Sequence, residues 1–126
     1  MRLLLDTQLV LWWLSGDKRL TADVRAMVED ADAAYVSHAT LWEMAVKASN
    51  RKLKIDLPAA TAEISALGFE WLDIRPAHIH AVAKLPPIEH RDPFDRLLVA
   101  QCVAEPLVLL TTTRPLERFG ATVRVV

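Results

Sequence analysis

Short unbroken apolar runs and longer stretches of helical spacing follow one another along this chain. Leu3, Leu4 and Leu5 run continuously, which predicts a buried strand over Arg2–Leu5. Asp6 and Thr7 then offer cap side chains for a helix through about Leu14, and Ser15-Gly16-Asp17 stops it. Thr21 is placed to cap a second helix to about Asp30, with Ala22, Ala26 and Val28 on its inner side. Ala34–Ser37 reads as a short strand. Thr40 or Ser37 caps a third helix running to about Arg51, with Leu41, Met44, Ala45 and Ala48 as its apolar stripe. On that helix Glu43 and Lys47 form a favourable i,i+4 pair.

Pro58 suits the first turn of a further helix that ends before Gly68. Phe69–Ile74 alternates like a strand, Pro76–Leu85 is a short helix, and Pro86-Pro87 forces a loop. Asp92 caps and Pro93 opens a helix to about Glu105. Leu107–Thr111 is a continuous apolar strand, Pro115–Phe119 a helical turn or two, and Thr122–Val126 a last strand. Strands of this kind separated by helices predict an α/β fold, a mostly parallel sheet covered on both faces. Chemistry in such sheets sits beyond the carboxyl ends of the strands.

Composition narrows the class. The 126 residues are 52% hydrophobic and 25% charged with three glycines, which excludes disordered, collagen-like and low-complexity chains. The length suits one domain over residues 1–126. The single Cys102 excludes an internal disulfide and a four-cysteine zinc site, and it fits a reducing compartment. A formal net charge of −1 leaves no global basic field, so nucleic acid would need a local patch. No apolar run approaches the ~20 residues of a membrane span, and the first residues lack the pattern of a signal peptide. A soluble cytoplasmic protein is expected.

Carboxylates recur where strands give way to helices. Asp6 follows the first strand, Glu43 lies one turn into the third helix, and Asp92 and Asp95 stand at the start of "DPFDRLLVAQ". Each has an ordinary reading: Asp6 and Asp92 as helix caps, Glu43 as a solvated partner of Lys47, Asp95 as an acid at the positive end of a helix. Glu43, however, is flanked by Trp42 and Met44, where an unpaired carboxylate is costly. Converging oxygen donors without Cys or paired His favour a hard divalent ion, Mg²⁺ or Mn²⁺, over zinc. Such an ion acidifies water and neutralises charge on a phosphodiester, so metal-assisted phosphodiester cleavage is the reaction class.

The segments "LLLDTQLVLWWL", "SHATLWEMAVKASNRKLKIDLP" and "HRDPFDRLLVAQCVAEPLVLLTTTRPLERFG" resemble a PIN domain, and more narrowly the VapC-type toxins of toxin–antitoxin systems. The resemblance covers nearly the whole chain. It implies an acidic pocket for Mg²⁺ or Mn²⁺, endoribonuclease activity, a homodimer and a partner antitoxin. Asp6, Glu43 and Asp95 match the family's first three acidic positions, and Asp92 lies beside the third. Thr113 in "LLTTTRPL" stands where the family carries a fourth acid, which weakens the case for a second metal.

Other features carry less. No glycine-rich phosphate loop is present. His78 and His80 are two apart and face different sides of a helix, whereas His90 stands next to the proposed pocket. Trp12, Trp13 and Trp42 are expected in packing or a subunit interface, with base stacking as the alternative. Lys47, Arg51, Lys52 and Lys54 form the densest basic segment, and Lys47, Arg51, Arg91 and Arg96 are the candidate RNA contacts. The competing function is a PIN-like RNA- or antitoxin-binding module with weakened catalysis. A small phosphatase is a third reading, for which no nucleophile motif appears.

Overall fold

The computed structural model describes residues 1–126. Five strands form one sheet: β1 (Arg2–Leu5), β2 (Ala33–Ser37), β3 (Glu70–Leu72), β4 (Val108–Thr111) and β5 (Val123–Val125). Six helices connect them: α1 (Thr7–Ser15), α2 (Ala22–Glu29), α3 (His38–Ser49), α4 (Leu57–Ala66), α5 (Pro76–Lys84) and α6 (Pro93–Ala104). A 3₁₀ segment over Arg114–Thr122, broken at Gly120 with φ 78°, leads into β5. The strand order is β3-β2-β1-β4-β5, with every pairing parallel, as the alternation of elements predicts.

The alternation of side chains along β1 divides the core in two. Leu3 and Leu5 point to one face and pack with Leu9, Val10, Met44 and Ile64 of α1, α3 and α4. Leu4 points to the other and packs with Leu97, Leu98 and Cys102 of α6. All three leucines are fully buried, so the continuous apolar run follows from a strand covered on both sides.

Several boundaries differ from the sequence expectation for local reasons. Ser37, not Thr40, caps α3, its Oγ accepting from the Ala39 amide at 2.9 Å. That helix stops at Ser49 because Arg51 takes a left-handed φ of 59°. The inner side of α2 is Val24, Met27 and Val28, while Ala22 and Ala26 are exposed. β3 is three residues long because it pairs only with β2, and Leu72 already faces Ser37, where β2 turns into α3. Gly16, at φ 64°, ends α1 as expected.

Large side chains of α1 find partners within the chain. Trp13 meets Phe69 edge-on at 5.3 Å, and the guanidinium of Arg25 lies over the Trp13 ring at 4.6 Å. Leu9 is buried, and Leu11, Trp12 and Leu14 pack against the first core cluster. No helix is long and apolar enough to cross a membrane.

Candidate functional site

From β1 the chain of strands runs outward in both directions, with β2 on one side and β4 on the other. Such a switch leaves a crevice at the carboxyl ends of the strands. Asp6 stands at this point, directly after β1, and its amide donates to the Leu110 carbonyl of β4 at 3.0 Å.

The Asp6 carboxylate serves both readings open to it. One oxygen caps α1 by accepting from the Leu9 amide at 2.8 Å. The other accepts from the Thr111 hydroxyl at 2.5 Å and from the Thr112 amide at 3.2 Å. At 2% exposure it is nearly dry. Burial pushes its pKa above the usual carboxylate range, these hydrogen bonds pull it back, and Glu43 adds repulsion.

Glu43 projects from α3 with 7% of its surface exposed. Its Oε1 accepts from the Thr7 hydroxyl at 2.7 Å, and its Oε2 lies 2.8 Å from the Lys47 ammonium. Thr7 has one hydroxyl proton, and Glu43 takes it. The buried Thr40 hydroxyl, 3.1 Å from Thr7, therefore donates to Thr7 in turn. The pairing with Lys47 expected from spacing is present, but Glu43 itself is not a solvated residue.

Asp92 caps α6, accepting from the Asp95 amide at 3.0 Å, and is exposed. Asp95, one turn in, is half-buried, and its Oδ2 lies 2.7 Å from Nε2 of His90. Burial raises its pKa, the His90 hydrogen bond lowers it, and the negative charges of Asp92 and Glu43 raise it again. Asp6 and Asp95 thus both lie in the field of Glu43. Across the same gap Trp42, 55% exposed, meets Phe94 of α6 edge-on at 4.7 Å and ties the two acid-bearing helices together.

Thr113 is half-buried beside this group, its amide donating to Oγ1 of Thr111 at 3.0 Å. Of the candidate RNA contacts, only Lys47 bonds one of the acids directly. Arg96 lays its guanidinium 5.7 Å from the centre of the Phe119 ring, and Arg51 and Arg91 are exposed. Sequence reasoning did not single out Thr111 or Thr40 for the site, because isolated threonines carry no pattern until the fold brings them to Asp6 and Thr7.

As they stand, no three His, Cys, Asp or Glu side chains are gathered into a coordination shell. The chemistry of the group still suits a hard divalent cation. Its donors are carboxylate oxygens that repel one another, and a cation already stands among them. That cation is the Lys47 ammonium, whose pKa is raised by Glu43, Asp92 and Asp95 together.

A family model described as "PIN domain" matches residues 3–120. Ribonuclease VapC22 of Mycobacterium tuberculosis is 26% identical over 115 residues, 90% of this chain and 88% of that protein. In structure, the chain is similar to one in VapBC2 from Rickettsia felis bound to a DNA fragment from their promoter. The TM-score is 0.72 at 13% identity, over 100% of this chain and 98% of that one. A chain of DNA-bound VapBC from Salmonella typhimurium gives a TM-score of 0.70 at 17% identity, over 100% and 97%. At these identities the solved structures speak for the fold.

Proposed function

The chain belongs to the PIN domain family, and from that premise we propose that it is a VapC-type endoribonuclease, the toxin of a toxin–antitoxin pair. Asp6, Glu43 and Asp95 hold Mg²⁺ or Mn²⁺, with Asp92 and Thr113 in supporting positions. The observation that carries the reading is that Asp6, directly after β1 at the switch point of the sheet, and Asp95, in the first turn of α6, both lie in the field of Glu43 on α3. The relative named as a ribonuclease supports the substrate class, and the VapBC neighbours support a partner protein.

When held there, the ion would supply an acidified water and neutralise charge on a phosphodiester. The chain's own residues prepare for it. Thr111, Thr112 and Leu9 fix the Asp6 carboxylate from three sides. Thr40 and Thr7 form a relay that fixes one oxygen of Glu43. Asp92 fixes the first turn of α6, and His90 orients Asp95. Pre-orientation of this kind spares the reaction the cost of arranging the charges. Lys47 at the centre, and Arg51, Arg91 and Arg96 farther out, contact RNA phosphates in this reading.

Asp6→Asn, Glu43→Gln and Asp95→Asn preserve shape and each remove one charge. Each is expected to abolish cleavage of structured RNAs in Mn²⁺ while the circular dichroism spectrum stays that of wild type. Wild-type cutting by Asp95→Asn moves the third ligand to Asp92, and undiminished cutting in excess chelator ends the metal mechanism. RNA binding without cutting under all metal conditions selects the alternative reading, a binding module.

A further inference from the structure

Lys47 occupies an unusual position for a residue half open to solvent. Its ammonium sits 2.8 Å from Oε2 of Glu43, and the other oxygen of Glu43 is held by Thr7. Both oxygens of this acid are therefore engaged before any ion arrives. The ammonium also feels Asp92 and Asp95 from α6, so it acts on more than its one bonded partner. A divalent cation at Glu43 and an ammonium at hydrogen-bond distance from the same carboxylate repel each other strongly.

The same lysine has somewhere else to go. It lines a cavity of about 640 Å³ between α1, the loop after α3 and α4, where Lys52, Lys54 and Arg19 face the carboxylates of Asp17, Asp56 and Glu63. Arg19 is paired with Asp17, while Lys52 and Lys54 have no ion-pair partner. Released from Glu43, the long side chain of Lys47 would be free to meet a phosphate diester, with the unpaired Lys52 and Lys54 along the adjoining cavity.

We propose that Lys47 is a displaceable internal cation: it holds Glu43 in the ion-free protein, gives way to a divalent ion, and then binds a phosphate of the RNA beside the scissile bond. This rests on the metal-dependent ribonuclease reading above and adds a coupling to it. Lys47 opposes ion binding and assists RNA binding, so the ion and the RNA help each other onto the site.

The test compares the full chain with Lys47→Met and Lys47→Arg. Calorimetric titration with Mn²⁺ in the absence of RNA is expected to show about two- to fivefold tighter binding by Lys47→Met, the scale of a partly exposed ion pair. Lys47→Arg, which keeps the charge, stays near wild type. In RNA cleavage the Lys47→Met protein is expected to show a raised KM despite its better-filled ion site. A merely structural ion pair does not move the two quantities in opposite directions. Equal Mn²⁺ affinity in wild type and Lys47→Met overturns the displacement, and an unchanged KM overturns the phosphate contact. Absence of Mn²⁺ binding to every protein overturns the metal reading itself.

Discussion

At the scale of single residues, the site is a balance of buried negative charge against a few hydrogen-bond donors. Asp6 and Asp95 both have pKa values raised above the ordinary carboxylate value, chiefly by burial. The folded chain therefore binds protons there more tightly than the unfolded chain. The stability they contribute is full below the ordinary carboxylate pKa and is lost as pH rises through their raised values. In chelator, thermal melting from about pH 4 to about pH 7 should show this loss, and Asp6→Asn should show less of it. An identical pH slope in the two proteins removes Asp6 from the account. Thr113 belongs to the same balance. Beside Thr111, which holds Asp6, it brings a hydroxyl and no charge. Thr113→Asp is expected to tighten Mn²⁺ binding in calorimetry and to raise the cleavage rate, because a second divalent ion needs additional negative charge nearby. If both stay unchanged, Thr113 does not face the ion.

At the scale of elements, the spacing of the acids depends on how α3 and α6 are tied together. Ser37, the cap of α3, donates from its hydroxyl to Oε1 of Gln101 on α6 at 2.6 Å. The Gln101 amide donates to the Asp73 carbonyl after β3 at 3.0 Å, and Nδ1 of His78 lies 3.3 Å away. His78 is wholly buried; Nδ1 accepts from the Arg75 amide, so Nε2 carries the proton and donates to Glu105 at 2.7 Å. This buried polar chain fastens α6, which carries Asp95, to the base of the helix that carries Glu43. Gln101→Leu leaves the Ser37 hydroxyl without its acceptor and is expected to cost about 2–3 kcal/mol in urea denaturation. A loss below about 0.5 kcal/mol would show that neighbouring groups replace the amide. Cys102, the next residue, faces the apolar core, and burial pushes its thiol pKa far up, so it packs as a small inert side chain.

At the scale of the whole molecule, the strand order sets β4 beside β1 and so brings Thr111 to Asp6. Were β4 placed beyond β2 and not beside β1, Thr111 would not reach Asp6, and no crevice would open between α3 and α6. The homodimer belongs to this scale too. Of the large groups on α1, Leu9 is buried, and Trp12, Trp13 and Leu14 are partly buried against the first core cluster. More exposed apolar groups lie elsewhere, with Trp42, Ile79 and Val103 each more than half exposed. Light scattering at micromolar concentration is expected to give twice the chain mass of 14.1 kDa. A value for one chain removes the dimer, and Trp42→Ser tests the exposed indole nearest the site.

The order and kind of the elements follow from local rules, so the sequence alone determines most of them. Leu3–Leu5 cannot be left in water, Gly16 ends α1, Asp92 and Pro93 begin α6, and Glu70 to Leu72 returns as a strand. The candidate acids draw notice by similar local signs: Asp6 follows a strand, Asp95 stands in the first turn of a helix, and Glu43 lies between Trp42 and Met44. What the sequence could not decide depends on groups distant along the chain. Ser37 wins the α3 cap because its hydroxyl also finds Gln101, 64 residues away, whereas Thr40 turns inward to Thr7. β3 stops at Leu72 because its only neighbour stops at Ser37. Thr111 reaches Asp6 across 105 residues. Lys47 pairs with Glu43 by helical spacing, but its place among the acids of α6 arises only when the two helices meet. Periodicity records which face of an element avoids water; which polar groups then satisfy one another is settled by the packing of the sheet and its helices.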